Sequence, residues 1–209
     1  MLAPDEHQRA GRFIFERDRQ RFIVARGILR LLLGRYLERD PDTVHFSYSE
    51  YGKPEIAEPA KSDLRFNVSH SHELVLYAFT RRRNIGVDVE HVNPDRAIQD
   101  IAERFFSERE IAMLRSLPQN KQTEAFFACW TRKEAYIKGR GQGLSFPLTQ
   151  FDVSLIPGTP VELLECREPA NARTERWSLG EIGAGVDYAA AMAVQGDKNW
   201  TVRCWQWEG

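Results

Sequence analysis

Two acidic side chains in a short apolar run are the first residues of this sequence that suggest chemistry. Asp88 and Glu90 belong to the run IGVDVE at positions 85–90. The run has the alternation of a β-strand, so both carboxylates point to the same face. Neighbouring carboxylates repel each other unless a hard cation, shared protons or basic partners stabilise them, and oxygen ligands suit magnesium bound together with phosphates. A solvated strand edge is the alternative interpretation.

A second segment could add a third carboxylate and an ammonium group. Positions 130–139 read WTRKEAYIKG, a helical pattern in which Trp130, Glu134 and Lys138 are spaced by four residues and share one stripe. Glu134 would supply an oxygen ligand, and Lys138 would supply a cation for a phosphate. A surface ion pair worth a few tenths of a kcal/mol is the competing interpretation. Lys133 faces another side of this helix and is a weaker candidate for phosphate binding.

Two further groups of polar residues lie in or beside predicted strands. Lys53 lies in the turn Gly52-Lys53-Pro54, where glycine allows close backbone approach and proline stiffens the bend. An ordinary exposed lysine is the alternative there. The run SHSH at positions 69–72 could form a metal site, a nucleophile with its base, or an anion site.

The elements that must position these residues are short strands and amphipathic helices. The hydrophobic spacing predicts helices over 18–38, 95–105, 107–117 and 121–138, the last of them ending at Gly139. Alternating or apolar runs predict strands at 44–48, 65–68, 74–80, 85–90, 151–155, 161–164, 177–179, 188–194 and 200–207. This order predicts an α+β fold with mainly antiparallel sheets and packed helices. We expect two lobes, 1–86 and 87–209, which meet near Gly86.

The ordered motifs resemble the 4'-phosphopantetheinyl transferase family in its larger single-chain form, which activates peptide synthetases, polyketide synthases and fatty-acid carrier proteins. The motifs are GKP at 52–54, FNVSHS at 66–71, GVDVE at 86–90, FFSxxE at 105–110 and WTxKEAxxK at 130–138. The resemblance implies two similar lobes related by a pseudo-two-fold axis, with coenzyme A bound in the cleft between them. It also implies transfer of phosphopantetheine to a serine of an apo acyl or peptidyl carrier protein, with release of adenosine 3',5'-bisphosphate.

The resemblance assigns roles to the acidic and basic residues of the two central motifs. It implies that Asp88, Glu90 and Glu134 bind Mg²⁺, which bridges the pyrophosphate oxygens. Glu134 is then also the general base, acting directly or through a metal-bound water. Lys138 would neutralise the phosphate that is left behind.

The same resemblance suggests contacts to the nucleotide part of coenzyme A. Ser69 and His70 would reach it, the latter near the 3'-phosphate, and Lys53 would be displayed toward it. The first long helix would supply further cations, of which Arg21 and Arg26 are the expected contacts. A solvated basic helix face is the alternative for these two arginines.

Composition and charge bear on the class of protein and its compartment. Lys and Arg number 29 against 30 Asp and Glu, which argues against a general nucleic-acid binder. Three cysteines without metal-type spacing fit a reducing compartment, and the charged N-terminus together with the lack of a long apolar run predicts a cytoplasmic protein with no membrane segment. Two lobes in one chain make a monomer sufficient.

Two other function classes would use some of the same residues. A magnesium-dependent phosphohydrolase would use the three carboxylates with water in place of serine, whereas a non-catalytic coenzyme A-binding module would not need all three. We expect an acidic carrier protein to dock on the loop at 139–150 and on the helix before Leu117, with basic residues Arg104, Arg109, Arg115 and Arg140 available. A solvated face explains these arginines equally well, and the class of carrier is not specified by the sequence.

Overall fold

The computed structural model describes residues 2–57, 62–94, 97–167 and 175–207. Within these ranges the helices are α1 (Pro4–Ala10), α2 (Glu16–Leu37), α3 (Ile98–Phe105), α4 (Glu108–Ser116) and α5 (Gln119–Arg140). The strands are β1 (Phe46–Tyr48), β2 (Pro54–Ile56), β3 (Leu64–Ser71), β4 (Leu74–Arg81), β5 (Ile85–His91), β6 (Phe151–Val153), β7 (Leu163–Cys166), β8 (Trp177–Glu181) and β9 (Tyr188–Gln195). None of the described helices is long and apolar enough to cross a membrane.

The strands form small antiparallel sheets. In the described ranges β1 pairs with β2, β3 with β4, and β6 with β7, while β5, β9 and β8 form a three-stranded sheet in that order. The predicted α+β class with antiparallel sheets and packed helices is therefore confirmed. The strand β5 pairs with β9 along its whole length, so Gly86 lies within the C-terminal sheet. The division of the chain at Gly86 and the two-fold relation between the lobes stay predictions.

Two separate apolar clusters hold these elements. The first packs α2 against the strands that follow it, through Leu29, Leu33, Val44, Leu64 and Phe66. The second surrounds α5, where Phe126, Phe127 and Ile137 are fully buried. Burial of large side chains such as these contributes about 1.5–3 kcal/mol each. Each long helix therefore carries the core of its own half of the chain.

Local signals explain where the helices begin and end. A capping box begins α4, since Ser107 Oγ accepts from the Glu110 N–H at 3.2 Å and Glu110 Oε2 accepts from the Ser107 N–H at 3.0 Å. The predicted end of α5 at Gly139 is wrong. The helix continues to Arg140, and Gly141 caps it with φ of 75°, because Gly139 is used for close packing inside the molecule.

The C-terminal segment also differs from the prediction. Residues 200–207 form no strand, although aromatic and polar residues alternate there. Trp200 Nε1 donates to Ser178 Oγ at 2.7 Å, and the Arg35 guanidinium lies 4.8 Å from the centre of the Trp207 ring. The alternation therefore reflects separate side-chain contacts with two parts of the protein. The short elements α1 and β2 were not predicted.

Candidate active site

The site is formed where α5 crosses β5 at very short distance. A Cβ atom on Gly86 would lie 2.0 Å from the Ala135 carbonyl oxygen and 2.2 Å from the Gly139 nitrogen, and a Cβ on Gly139 would lie 2.7 Å from the Trp177 ring. Only glycine allows the two backbones to approach so closely. The stripe of α5 is thereby brought to the edge of the strand that carries the acidic pair.

The functional stripe of α5 and the acidic pair of β5 reach the same cavity, whose volume is about 340 Å³. The strand β3 contributes the remaining lining. The lining residues are Val68, Ser69, His70, Asp88, Glu90, Trp130, Glu134 and Lys138. The structure thus brings together the two predicted segments and the serine and histidine of the SHSH run.

Asp88 is the most buried carboxylate of this cavity, with 3% of its surface exposed. Its Oδ1 accepts from Lys138 Nζ at 2.6 Å and from Ser69 Oγ at 2.9 Å, while Oδ2 is buried without a hydrogen-bond partner among the described residues. Burial raises the pKa of Asp88, and the charge and hydrogen bond of Lys138 oppose that rise. The buried oxygen leaves this carboxylate with acceptor capacity that the protein does not use.

Glu134 has an environment suited to proton transfer. Burial and the charges of Asp88 and Glu90 together raise its pKa to about 7, against the opposing charge of Lys138. A carboxylate that titrates near neutral pH can accept a proton and release it again under physiological conditions. This environment makes Glu134 a candidate proton acceptor of the cavity.

The donor set is suited to a hard divalent cation. In the described part of the chain no three His, Cys, Asp or Glu side chains are already close enough together to hold a metal ion, and Lys138 instead neutralises Asp88. The cavity nevertheless offers three carboxylates and the unused Asp88 Oδ2, and magnesium prefers such oxygens when phosphates complete its coordination. Asp88, Glu90 and Glu134 fit this group by chemistry.

Lys53 lies differently from its expected position on an exposed loop. Its Nζ donates to the Gly139 carbonyl at 2.9 Å and to the Ile85 carbonyl at 3.3 Å, and it is not among the residues that line the cavity. Burial lowers its pKa to about 8. Lys53 therefore joins the loop before β2 to the crossing of β5 and α5.

The two arginines predicted for the 3'-phosphate are engaged elsewhere. Arg21 pairs with Glu73 at the surface. Arg26 is only 7% exposed, lies 3.3 Å from Glu6, and stacks 4.7 Å from the centre of the Phe46 ring. Neither residue lines the cavity, and Arg26 is corrected to a core position because α1 brings Glu6 against it.

Lys133 points away from the cavity, as its position on the helix predicts. It is fully buried, and its Nζ is 2.8 Å from Glu110 Oε2 and donates to the carbonyls of Leu148 and Phe151 at 2.7 and 2.6 Å. These contacts give the ammonium a structural role.

Sequence reasoning missed two side chains of β3 that attach the strand to β5. Asn67 Oδ1 accepts from the Val87 N–H at 2.9 Å, and Ser71 Oγ donates to Glu90 Oε2 at 3.2 Å. Their spacing of two from Ser69 places all three on one face of the strand. That spacing is the sequence signal that could have found them.

Comparison with known proteins gives the family. A model described as the 4'-phosphopantetheinyl transferase superfamily matches residues 84–193, and one described as 4'-phosphopantetheinyl transferase, N-terminal, matches residues 1–81. The 4'-phosphopantetheinyl transferase HetI of Nostoc sp. is 41% identical over 207 residues, which cover 99% of this chain and 83% of HetI. The 4'-phosphopantetheinyl transferase Sfp of Bacillus subtilis is 34% identical over 194 residues, covering 92% and 82% of the two chains.

Solved structures of smaller proteins also align with part of the chain. A holo-(acyl-carrier-protein) synthase from Bacillus anthracis in complex with CoA (3',5'-ADP) aligns with a TM-score of 0.45 and 21% identity, over 55% of this chain and 96% of that chain. The family models and the relatives together span almost all of the chain. This protein belongs to the 4'-phosphopantetheinyl transferase superfamily.

Proposed function

We propose that this protein transfers the 4'-phosphopantetheine group of coenzyme A to a serine of an apo carrier protein, in a magnesium-dependent reaction that releases adenosine 3',5'-bisphosphate. The observation that carries the proposal is the meeting of Asp88, Glu90, Glu134 and Lys138 at one cavity in a chain of this family. Phosphoryl transfer is catalysed mainly by positioning and by charge stabilisation. These four side chains supply both.

Asp88, Glu90 and Glu134 would hold the magnesium ion, which would supply positive charge to the pyrophosphate oxygens of coenzyme A. The unused Oδ2 of Asp88 supports this assignment, because a buried carboxylate oxygen without a partner is costly unless a ligand satisfies it. The positive charge of the ion would also relieve the repulsion of Glu134 by Asp88 and Glu90, which adds to burial in raising the Glu134 pKa.

Glu134 takes the proton of the attacking hydroxyl. The serine Oγ forms a bond to the β-phosphorus of coenzyme A, the bond between that phosphorus and the bridging oxygen breaks, and the bridging oxygen leaves with adenosine 3',5'-bisphosphate. The Glu134 carboxylate lies in the same cavity as the pyrophosphate-binding groups and is the acceptor for that proton. Its position on the same helical stripe as Lys138 places base and cation one turn apart.

Lys138 stabilises the negative charge of the departing phosphate. Its ammonium already lies 2.6 Å from Asp88 and 3.0 Å from Ser69 Oγ, so it is held at the cavity wall before coenzyme A binds. His70 contributes ring nitrogens on the β3 side of the cavity, and Ser69 lines the cavity beside it, which supports their assignment to the nucleotide. Lys53 and Arg21 remain weaker candidates for that role, since both have other partners.

The carrier protein would approach the open side of this cavity. Of the arginines named for docking, Arg115 pairs with Glu103, Arg109 lies 3.9 Å from Glu165, and Arg140 lies over the Phe146 ring at 4.5 Å. All three belong to the α4–α5 half of the molecule. They supply the kind of cations that an acidic recognition helix requires.

The test is incubation of the protein with coenzyme A, magnesium and a panel of apo carrier proteins, read by intact mass. Transfer adds one phosphopantetheine group to the carrier and requires its acceptor serine, so a serine-to-alanine carrier is the matched substrate control. Coenzyme A incubated without carrier separates transfer from hydrolysis. Cleavage of coenzyme A at the same rate with and without carrier, and no mass added to any carrier, would contradict the proposal in favour of a phosphohydrolase.

A further inference from the structure

Strands β3 and β5 lie side by side but belong to different sheets, and polar side chains of β3 connect them. Three such side chains accept backbone N–H groups of β5, and we refer to Asn67, Ser69 and Ser71 as the side-chain ladder. The donor and acceptor pairs are Val87 N–H with Asn67 Oδ1 at 2.9 Å, Val89 N–H with Ser69 Oγ at 3.3 Å, and His91 N–H with Ser71 Oγ at 2.9 Å.

The two serine rungs of this ladder differ from the asparagine rung in what else they touch. Ser69 Oγ donates to Asp88 Oδ1 at 2.9 Å, and Ser71 Oγ donates to Glu90 Oε2 at 3.2 Å. A hydroxyl has one proton and two acceptor lone pairs. Each serine therefore accepts a strand N–H and gives its own proton to the carboxylate of the residue that precedes that N–H in the strand.

We propose that Ser71 is a positioning residue that holds the Glu90 carboxylate in its orientation at the cavity. This inference deepens the proposed function, on which it rests for the role of Glu90 as a magnesium ligand. Ser69 lines the cavity itself, and the Asn67 rung carries no carboxylate, so Ser71 is the rung whose effect on a ligand can be separated from direct contact.

The geometry around Ser71 fixes the direction of its hydroxyl proton. The His91 N–H occupies one lone pair of Ser71 Oγ, which leaves the hydroxyl proton directed to Glu90. The backbone at His91 is fixed in turn, because β5 pairs there with Tyr188 of β9 and the two rings pack edge to face at 5.3 Å. Without the hydroxyl, Glu90 loses this hydrogen bond, and its carboxylate is less restricted in orientation when a cation binds.

The experiment compares three variants by two measurements that need no enzymatic turnover. Ser71→Ala removes the hydroxyl, Ser71→Thr keeps it, and Asn67→Ala removes a rung that touches no carboxylate. Hydrogen exchange of the His91 and Val87 amides reports each rung, and titration with Mn²⁺ alone, followed by the electron paramagnetic resonance signal of the free ion, reports cation affinity. Loss of a group that orients a metal ligand typically weakens affinity about tenfold or more.

We expect Ser71→Ala to bind Mn²⁺ about tenfold more weakly, Ser71→Thr to restore wild-type affinity, and Asn67→Ala to lose protection only at the Val87 amide while its affinity stays near wild type. Equal weakening in Ser71→Ala and Asn67→Ala would overturn the proposal, because loss of strand contact alone would then explain both. Wild-type affinity in Ser71→Ala would overturn it as well. If the proposed transfer itself is wrong, the wild-type protein will modify no carrier. The difference in Mn²⁺ affinity among these variants would still be measurable in that case.

Discussion

Helix α5 carries two lysine–carboxylate pairs whose surroundings are opposite. Lys133 pairs with Glu110 at 2.8 Å in the core of the C-terminal half, and Lys138 pairs with Asp88 at 2.6 Å at the cavity. The two lysines are five residues apart on the helix and therefore point to different sides. Each pair thus joins a lysine to a carboxylate at nearly the same distance. The two pairs differ only in the other contacts that their atoms make.

The core pair is fully satisfied. Lys133 Nζ has Glu110 and two backbone carbonyls as acceptors, which match its three protons. Glu110 in turn accepts from the backbone N–H groups of Ser107 and Val153 at 3.0 and 2.9 Å. This pair has no capacity left for a ligand. It connects α4, α5 and the β6 region.

The cavity pair is incomplete by contrast. Asp88 Oδ2 has no hydrogen-bond partner within the described ranges, and the Lys138 side chain is 28% exposed. Buried polar groups are normally satisfied, so an orphaned oxygen beside an accessible ammonium indicates a place where ligand atoms complete the network. The comparison teaches that unused bonding capacity, and not charge alone, distinguishes the functional pair.

The largest expected effect is on the activity of the cavity residues. Glu134→Gln keeps the size of the side chain but removes the base, so we expect phosphopantetheine transfer to fall by about 100- to 10,000-fold. Asp88→Ala should fall comparably because it removes the most buried carboxylate of the cavity. Initial rates with an apo carrier, measured by intact mass, give the comparison.

These losses must occur without unfolding to support the assignment. Circular dichroism of Glu134→Gln should match that of the wild type and its urea midpoint should be at or above the wild-type value, because the raised pKa means that folding disfavours the charged form. A Glu134→Gln protein with wild-type transfer rates would remove Glu134 from the mechanism.

The next largest effect is a difference in the free energy of unfolding between variants of Lys133 and Lys138. Lys133→Met leaves the Glu110 carboxylate buried without its charge partner, so the free energy of unfolding should fall by about 3–5 kcal/mol. Lys138→Met removes an ammonium that is 28% exposed and leaves Asp88 with its hydrogen bond from Ser69, so it should change the free energy of unfolding less, while it reduces transfer strongly. Urea denaturation of both variants measures the difference.

A double variant sharpens this result. Lys133→Met combined with Glu110→Gln removes both charges and keeps an amide oxygen as acceptor for the backbone N–H groups that Glu110 binds, so it should be more stable than Lys133→Met alone. If the single and double variants are equally unstable, packing around the helix and not the uncompensated charge explains the loss.

A smaller effect is expected where the two backbones cross. Gly86→Ala places a methyl group 2.0 Å from the Ala135 carbonyl oxygen, which forces α5 away from β5 and should cost about 1–3 kcal/mol of unfolding free energy. Transfer should fall as well, because Glu134 moves relative to Asp88. Gly183→Ala is the matched control, since no atom lies within 4 Å of its added Cβ, and it should leave both stability and transfer near wild type.

The side chains that share one face of β5 or one stripe of α5 could be predicted, because this depends only on the residue spacing of strands and helices. Alternation in β5 gives Asp88 and Glu90 one face, and spacing by four gives Trp130, Glu134 and Lys138 one stripe. Both follow from geometry that a sequence carries within ten residues. The antiparallel α+β class followed in the same way from the order of the elements.

The remaining features depend on contacts between distant segments, which a local pattern does not contain. Gly139 has the same local signature whether it ends a helix or packs against Gly86, and only the fold decides between the two. The sequence around Arg26 is typical of a cation on a helix surface, but in the structure Glu6 of α1 pairs with it. Helix α1 has only seven residues, so its hydrophobic periodicity is too short to predict it. The spacing of Asn67, Ser69 and Ser71 predicts that they share one face of β3, but not that β5 lies against that face.

The smallest expected effect concerns Lys53, which shares the crossing region but lies outside the cavity lining. Burial lowers the folded-state pKa of Lys53 from 10.5 to about 8. Between these values the unfolded chain binds a proton that the folded chain has released, so the Lys53 contribution makes stability rise with pH from about pH 8 to 10.5. Below about pH 8 the ammonium is charged in both states, and its burial cost is constant.

Lys53→Met should therefore lose this rise, and its free energy of unfolding relative to wild type should decrease steadily as the pH increases through that window. Urea denaturation of both proteins at several pH values measures the difference, in which titrations of distant groups cancel. A constant difference across the window would mean that Lys53 titrates with an ordinary pKa. Its hydrogen bonds to the Gly139 and Ile85 carbonyls would then be open to water rather than enclosed by the crossing of β5 and α5.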